Sequence, residues 1–237
     1  VSEDADQMVV EVTAPSGTKG FFKLSGKDET EFPNMVTVVG GFLPQSSQLA
    51  DTAVANFLIG RTEVTWAEWQ EVRAWAIANG YDLAGVGEGS GPDHPVRNVN
   101  WYDVLKWCNA KSEMQGLKPV YCKGGSYFYP SNIVYRTGNA LPSLPDPTAN
   151  GYRLPTDSEW EWAARGGVSS QGFTYSGSND AHSVAWTLEN STGASVDLYQ
   201  GRGTWPVARK KANELGLYDM SGNIYEWCIK LSYYDYR

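Results

Sequence analysis

The sequence predicts an α+β fold, loop-rich and built around two or three helices among short strands. Two observations lead there. Three segments carry helical periodicity behind a clear cap, and the remaining chain alternates brief apolar or aromatic runs with Gly, Pro, Ser and Asn turns. The chain of 237 residues suits one large domain or two small ones. Ten Trp, fourteen Tyr and seven Phe supply enough packing surface to argue against disorder. A formal charge of −8 argues against nucleic acid or an anionic membrane surface as main partner. No run of about 18 apolar residues is present, which excludes a helical membrane span.

Residues 1–35 read as an appended arm or hairpin. Met8 to Val12 and Phe21 to Leu24 are strand-like, and Pro15-Ser16-Gly17 turns between them. The main domain is placed at 36–237. It opens with a strand from Val36 to Leu43, broken by Gly40-Gly41, and a second from Val54 to Ile59. Thr65 caps a helix over Trp66 to Asn79, with Glu68 placed to close a capping box and Gly80 to end it. Its stripe of Trp66, Trp69, Val72, Trp75 and Ile77 predicts one buried face.

After a Gly/Asp/Pro-rich loop from Gly85 to His94, a second helix starts at Asn100 or Trp101 and runs to about Gly116. Val104, Leu105, Trp107, Cys108 and Met114 are its inward positions. Short strands follow at Tyr127 to Tyr129 and Ile133 to Tyr135. A third helix is capped by Thr156, with Asp157 and Glu159 at its positive end and Gly166-Gly167 beyond it. Arg153 is placed to pair with a carboxylate such as Glu159. From Asn213 to Trp227, turns alternate with aromatic strand residues, and on a strand Glu226 would point away from Tyr225 and Trp227.

Cys108, Cys122 and Cys228 form neither a disulfide framework nor a metal-spaced motif. A Cys108–Cys122 bridge and buried free thiols both stand as readings. His94 and His182 lack an accompanying nucleophile and read as structural or solvated. Glu159 and Glu161 fall on opposite helix sides and make no glycosidase-like dyad. The acidic start, Val1 to Met8, is no signal peptide, so either the protein is cytosolic or a leader has been removed.

Four stretches together resemble the formylglycine-generating enzyme, or sulfatase-modifying factor, family. They are Phe57 to Thr65, His94-Pro95-Val96 with Val99-Asn100-Trp101, Gly151 to Gly167, and Asn213 to Cys228. Their order and spacing run from about residue 36 to 228. The resemblance implies a C-type-lectin-like fold, poor in regular structure and held by aromatic packing and loop hydrogen bonds. Family enzymes oxidise a substrate cysteine with a copper-holding thiol pair that follows an Arg-Gly-Gly-Ser stretch near their C-terminus. This sequence has neither that stretch nor a thiol pair, and it stops at Arg237, so its C-terminal end reads as incomplete against the family. Cu(I) wants converging thiolates, so no copper is expected from the residues present and no catalytic residue is assigned.

The resemblance also extends to the variable proteins of diversity-generating retroelements, a branch of the same fold family that displays mutagenised C-terminal residues. Ser232, Tyr233, Tyr234, Asp235 and Tyr236 have the Tyr/Ser/Asp alphabet of such a surface. Tyrosine gives large amphipathic contact area at small entropic cost, and a half-buried tyrosine-rich strand is the competing reading. The function put first is therefore non-catalytic binding of a protein or other cell-surface ligand. A copper oxidase missing its cysteine tail and a structural subunit are the alternatives. Family analogy favours a cell-surface or secreted location. It also implies a calcium ion held by the side chains of Asp219 and Glu226 and the carbonyls of Gly222 and Ile224, with hydrogen bonds to backbone N–H groups as the ion-free alternative.

Overall fold

The computed structural model describes residues 32–126, 129–130, 132–140, 142, 148–192 and 203–230. The predicted hairpin runs before residue 32 and the tail from 231 lie outside them. The predicted strand at 36–43 breaks as expected, into β1 (Met35–Val38) and β2 (Gly41–Phe42). The second predicted strand also divides, into β3 (Ala53–Val54) and β4 (Phe57–Gly60). β1 pairs antiparallel with β4, from Met35 opposite Gly60 to Val38 opposite Phe57, while β2 pairs with β3. Gly40 is required at the break, because a Cβ there would lie 2.1 Å from the Val54 carbonyl oxygen.

Helix α1 (Trp66–Ala78) is capped by Thr65, whose hydroxyl accepts from the Glu68 N–H. The predicted capping box is not completed, because the Glu68 carboxylate pairs with Lys111 of α2 (Trp101–Met114). The buried face of α1 is Trp69, Val72 and Ala76, whereas Ile77 is exposed. Ala76 returns beneath Trp69 about two turns on, and Ile77 is rotated off that line. α2 begins at an Asn100 cap that closes a full capping box with Asp103. Trp69 and Trp107 stack across the helix pair with centroids 5.4 Å apart.

Met114, predicted to face inward, ends α2 on the exposed side, and Leu117 takes the interior after it. In exchange, α2 buries four polar side chains, Asp103, Lys106, Asn109 and Ser112. Lys106 pairs with Asp82 at 2.7 Å and Asp103 at 3.3 Å. Asn109 donates to the carbonyls of Tyr121 and Tyr135 and accepts from the Tyr121 N–H. Ser112 donates to the Cys108 carbonyl and accepts from the Tyr152 N–H. Each buried polar atom here has a partner, which removes most of the cost of taking it from water.

The segment 119–140 carries little ladder. β5 (Gly125–Ser126) pairs with β6 (Tyr129–Pro130), and the strand predicted at 133–135 reduces to one bridge between Cys122 and Val134. Within the predicted strand at 127–129, residues 127 and 128 lie outside the described residues. α3 (Asp157–Ala164) has the expected Thr156–Glu159 capping box, and Arg153 grips the Glu159 carboxylate through two bonds of 2.7 Å. That bidentate pair holds the Glu159 carboxyl below the usual carboxylate range despite its burial. Glu161 turns the other way, to Arg165. A short helix, α4 (Ala181–Val184), follows.

Among the described residues, two apolar cores result. One joins α1, α2 and the 117–135 segment through Trp69, Leu105, Trp107, Tyr121 and Tyr135. The other packs α3 on β1 and β4 through Val38, Phe57, Trp162, Leu217 and Met220. Asn213 fastens the second core: its amide donates to the Ala163 carbonyl and the Ser176 hydroxyl, and its oxygen accepts from the N–H groups of Leu215 and Leu217. Asn213→Ala strands several buried polar groups and is expected to cost about 3 kcal/mol or more. Thr156→Ala removes a cap and is expected to cost about 1 kcal/mol. Urea unfolding monitored by tryptophan fluorescence ranks the two.

Candidate functional site

The turn from Asp219 to Glu226 is the chemically loaded part of the second core. The sequence predicts aromatic strand residues there, but among the described residues the segment 213–228 forms no strand. Its backbone turns too sharply, with φ of 57° at Asp219, 95° at Gly222 and 57° at Asn223. Gly222 is fixed by space as well as by φ, since a Cβ would lie 2.3 Å from the Trp186 carbonyl oxygen. Asn223 locks the turn, donating to the Trp205 carbonyl and accepting from the Trp205 N–H. Its own N–H donates to the Trp186 carbonyl, beside a Trp186–Trp205 stack 4.4 Å apart.

Asp219 is buried, and its Oδ2 accepts from the Ala208 N–H at 2.8 Å while Oδ1 has no partner. The carbonyls of Gly222 and Ile224 accept no hydrogen bond among the described residues. Glu226 lies beside the Trp160 indole N–H, which favours its ionised form without reaching hydrogen-bond geometry. The ion-free alternative, with both carboxylates engaged by backbone N–H groups, is therefore met by one oxygen of Asp219. The donor set, two carboxylates and two bare carbonyls on a tight turn, is hard oxygen throughout and fits calcium.

A third acid, not singled out by sequence, faces this turn. Glu63 lies between β4 and α1, is 8% exposed, and neither of its carboxylate oxygens has a hydrogen-bond partner. Burial, then the Asp219 charge, then the Glu226 charge push its carboxyl up to about 9. The Asn223 amide opposes the rise without bonding to it. Burial also raises Asp219, and burial and then the Asp219 charge raise Glu226. Glu226 is an exposed residue, so water screens part of that effect and only its direction matters. Among the described residues, no three His, Cys, Asp or Glu side chains converge tightly enough to form a metal cluster alone.

The remaining predicted sites are dispersed. Ser232, Tyr233, Tyr234, Asp235 and Tyr236 lie outside the described residues. The residues leading to them are aromatic and outward: Tyr225 is fully exposed and Trp227 is 47% exposed, its indole donating to the Val99 carbonyl. Ile229 is buried and pairs with the start of α3, accepting from the Asp157 N–H and donating to the Pro155 carbonyl. All three cysteines are free. Burial pushes the thiols of Cys108 and Cys228 up to about 12, and Glu226, Asp157 and Glu159 further oppose ionisation of Cys228.

His94 is buried with its Nδ1 3.1 Å from the Thr204 hydroxyl. His182 is exposed and, although no local partner is expected from sequence, faces Glu189 at 3.7 Å. An open cleft lined by Gln171, Phe173, Gly177, Lys211, Asn213 and Glu214 contains none of the predicted site residues.

Residues 21–235 match the sulfatase-modifying factor enzyme 1-like domain. The chain belongs to this family. Its relatives include the protein named chaperone protein LppX of Paenibacillus barcinonensis, 40% identical over 209 residues, covering 82% of this chain and 70% of the relative. The formylglycine-generating enzyme of Mycobacterium tuberculosis is 35% identical over 236 residues, covering 83% and 71%. Among solved structures, CarF is similar at a TM-score of 0.67 and 34% identity, covering 83% of this chain and 79% of its own. Treponema denticola variable protein 1 follows at 0.59 and 32%, covering 82% and 71%. The family membership and these two neighbours establish the formylglycine-generating-enzyme type of C-type-lectin-like fold.

Two outcomes are expected at the turn. Gly222→Ala must relieve both a positive φ and a backbone clash, and is expected to lose about 3 kcal/mol in chemical unfolding. In chelator, an acid whose native carboxyl sits above its unfolded value binds more protons folded than unfolded, so stability falls as pH rises through that interval. The Glu63 effect should appear as a falling melting temperature from about pH 7 to about pH 8.5, above the range in which His94 acts and below that of the thiols. A flat or rising profile there contradicts it.

Proposed function

We propose that this protein is a non-catalytic binding module that presents its carboxyl-end surface to another molecule, with Ser232, Tyr233, Tyr234, Asp235 and Tyr236 as contact residues. The observation that carries this reading is the aromatic approach to that segment. Tyr225 and Trp227 stand exposed on a turn whose neighbours are fixed by Asn223, Asn213 and the Ile229 bonds to α3. Exposed aromatics on a rigid base combine contact area with low ordering cost, as binding surfaces require. The likeness to a protein named as variable supports the same reading, as does the 40% identity to one named a chaperone. Its finer form is a variable protein of a diversity-generating retroelement, acting at a cell surface on a protein or other surface ligand.

Calcium belongs to this proposal as a structural ion. Asp219 and Glu226 would hold it by side chain and Gly222 and Ile224 by carbonyl. Bound there, it neutralises charge and stiffens the turn that carries Tyr225. The chain's own residues do the rest: Gly222 allows the close approach to Trp186, and Asn223 ties the turn to Trp205.

The second reading, a copper-dependent cysteine oxidase, is favoured by the identity to the formylglycine-generating enzyme. Against it, the thiols of Cys108 and Cys228 are held protonated, and the thiolate is the form that binds Cu(I). Sequencing the locus separates the two. A reverse transcriptase beside an adenine-variable copy of the C-terminal coding region is the expected finding; a coding region that continues into a cysteine pair would overturn the binding reading. At the protein level, replacing Tyr233, Tyr234 and Tyr236 by Ala is expected to abolish retention on cells that bind the parent chain while leaving the melting temperature within about 2 °C. Unchanged retention counts against the tail as contact surface.

A further inference from the structure

Two dipeptides in the chain join asparagine to glycine, Asn79-Gly80 and Asn150-Gly151. A glycine puts no side chain in the way of its own main-chain nitrogen, so that nitrogen can reach the amide carbon of the asparagine before it. Both asparagines are exposed, so exposure does not separate them. Hydrogen bonding does. Asn79 ends α1: its Nδ2 donates to the Trp75 carbonyl at 2.8 Å, and the Gly80 N–H donates to the Ile77 carbonyl at 3.4 Å. The amide nitrogen that would leave and the main-chain nitrogen that would attack are both held there, in the last turn of a helix. At Asn150 neither is. Among the described residues, the Gly151 N–H and the Asn150 Nδ2 have no acceptor, while Asn150 Oδ1 accepts from the Lys118 N–H at 2.8 Å.

Packing keeps the glycine in place. A Cβ at Gly151 would lie 2.4 Å from the Ser112 hydroxyl oxygen and 2.6 Å from the Lys118 carbonyl oxygen, so no bulkier residue can shield the nitrogen. We propose that Asn150-Gly151 is a self-modifying site, at which the folded chain converts its own asparagine to aspartate and isoaspartate. The Gly151 nitrogen gives up its proton to water and bonds to Asn150 Cγ. The Cγ–Nδ2 bond then breaks, and the amide nitrogen takes up a proton and leaves as ammonia. A water molecule opens the cyclic imide at either of its carbonyls, adding its hydroxyl to carbon and its hydrogen to nitrogen. Negative charge develops on Oδ1 as the nitrogen adds. The Lys118 N–H is already directed at that atom, which is the arrangement by which backbone donors stabilise a tetrahedral oxyanion. Both products place a new carboxylate at this turn. The isoaspartyl product also adds a main-chain carbon shortly before Tyr152, whose N–H is tied to the Ser112 hydroxyl at 2.8 Å.

The test holds the full chain folded in mildly alkaline buffer and, in parallel, unfolded in urea. Mass spectrometry follows the peptides carrying Asn79 and Asn150, with aspartyl and isoaspartyl forms separated by chromatography. In the folded chain Asn150 is expected to convert at least about tenfold faster than Asn79, whereas in urea the two rates fall within about threefold of each other. Folding should therefore slow Asn79 about tenfold or more while leaving Asn150 within about threefold of its rate in urea. Folding that slows both residues alike overturns the proposal, as does a folded chain in which Asn79 converts first or Asn150 gains no product. Lys118→Ala, which keeps the backbone donor and removes the ammonium, is expected to leave the Asn150 rate in the folded chain unchanged. A tenfold loss in that variant refutes the role given to the Lys118 N–H.

Discussion

Backbone hydrogen bonding without ladders is the constraint on which this structure depends. Among the described residues, the sheets are three antiparallel pairs, the longest four residues per strand. Buried N–H and C=O groups in the remaining chain still need partners. Asparagine supplies them, since one amide offers donors and an acceptor at a fixed spacing. Asn109 joins α2 to the 121 and 135 segments, Asn213 joins α3 to the 215–217 turn, and Asn223 joins the 219–226 turn to Trp205. Each does locally what a neighbouring strand does in a sheet.

This construction gives the scaffold a division of labour. Interior asparagines and stacked tryptophans set the backbone path, which leaves side chains such as Tyr225 outside the core. Tyr225 shows the consequence: a fully exposed ring two residues from Asn223, which is bonded at both ends of its amide. Within this interior, Glu63 and Asp219 are both buried, and their bare carboxylate oxygens find no partner.

Much of the fold was legible in the sequence. The Thr65, Asn100 and Thr156 caps, the break at Gly40 and the Arg153–Glu159 pair are local devices, decided by residues within a few positions of one another. Errors arose where a distant partner intervened. Glu68 left its capping box for Lys111, Ala76 rather than Ile77 met the core, and the 213–228 segment turned instead of extending because Trp186 and Trp205 claim its backbone. The four turn positions were expected from family likeness alone, whereas Glu63 sat unnoticed within a recognised motif. Nothing in its immediate neighbours marks it as buried and unpartnered.

By itself, then, the sequence determined the three longer helices, their starts and the family, because caps, periodicity and motif spacing act over short range. Tertiary structure alone decided which polar groups are satisfied and which are left bare. That outcome depends on what the chain brings alongside from far away, and desolvation at Glu63 and Asp219 exists only once those distant segments have closed over them.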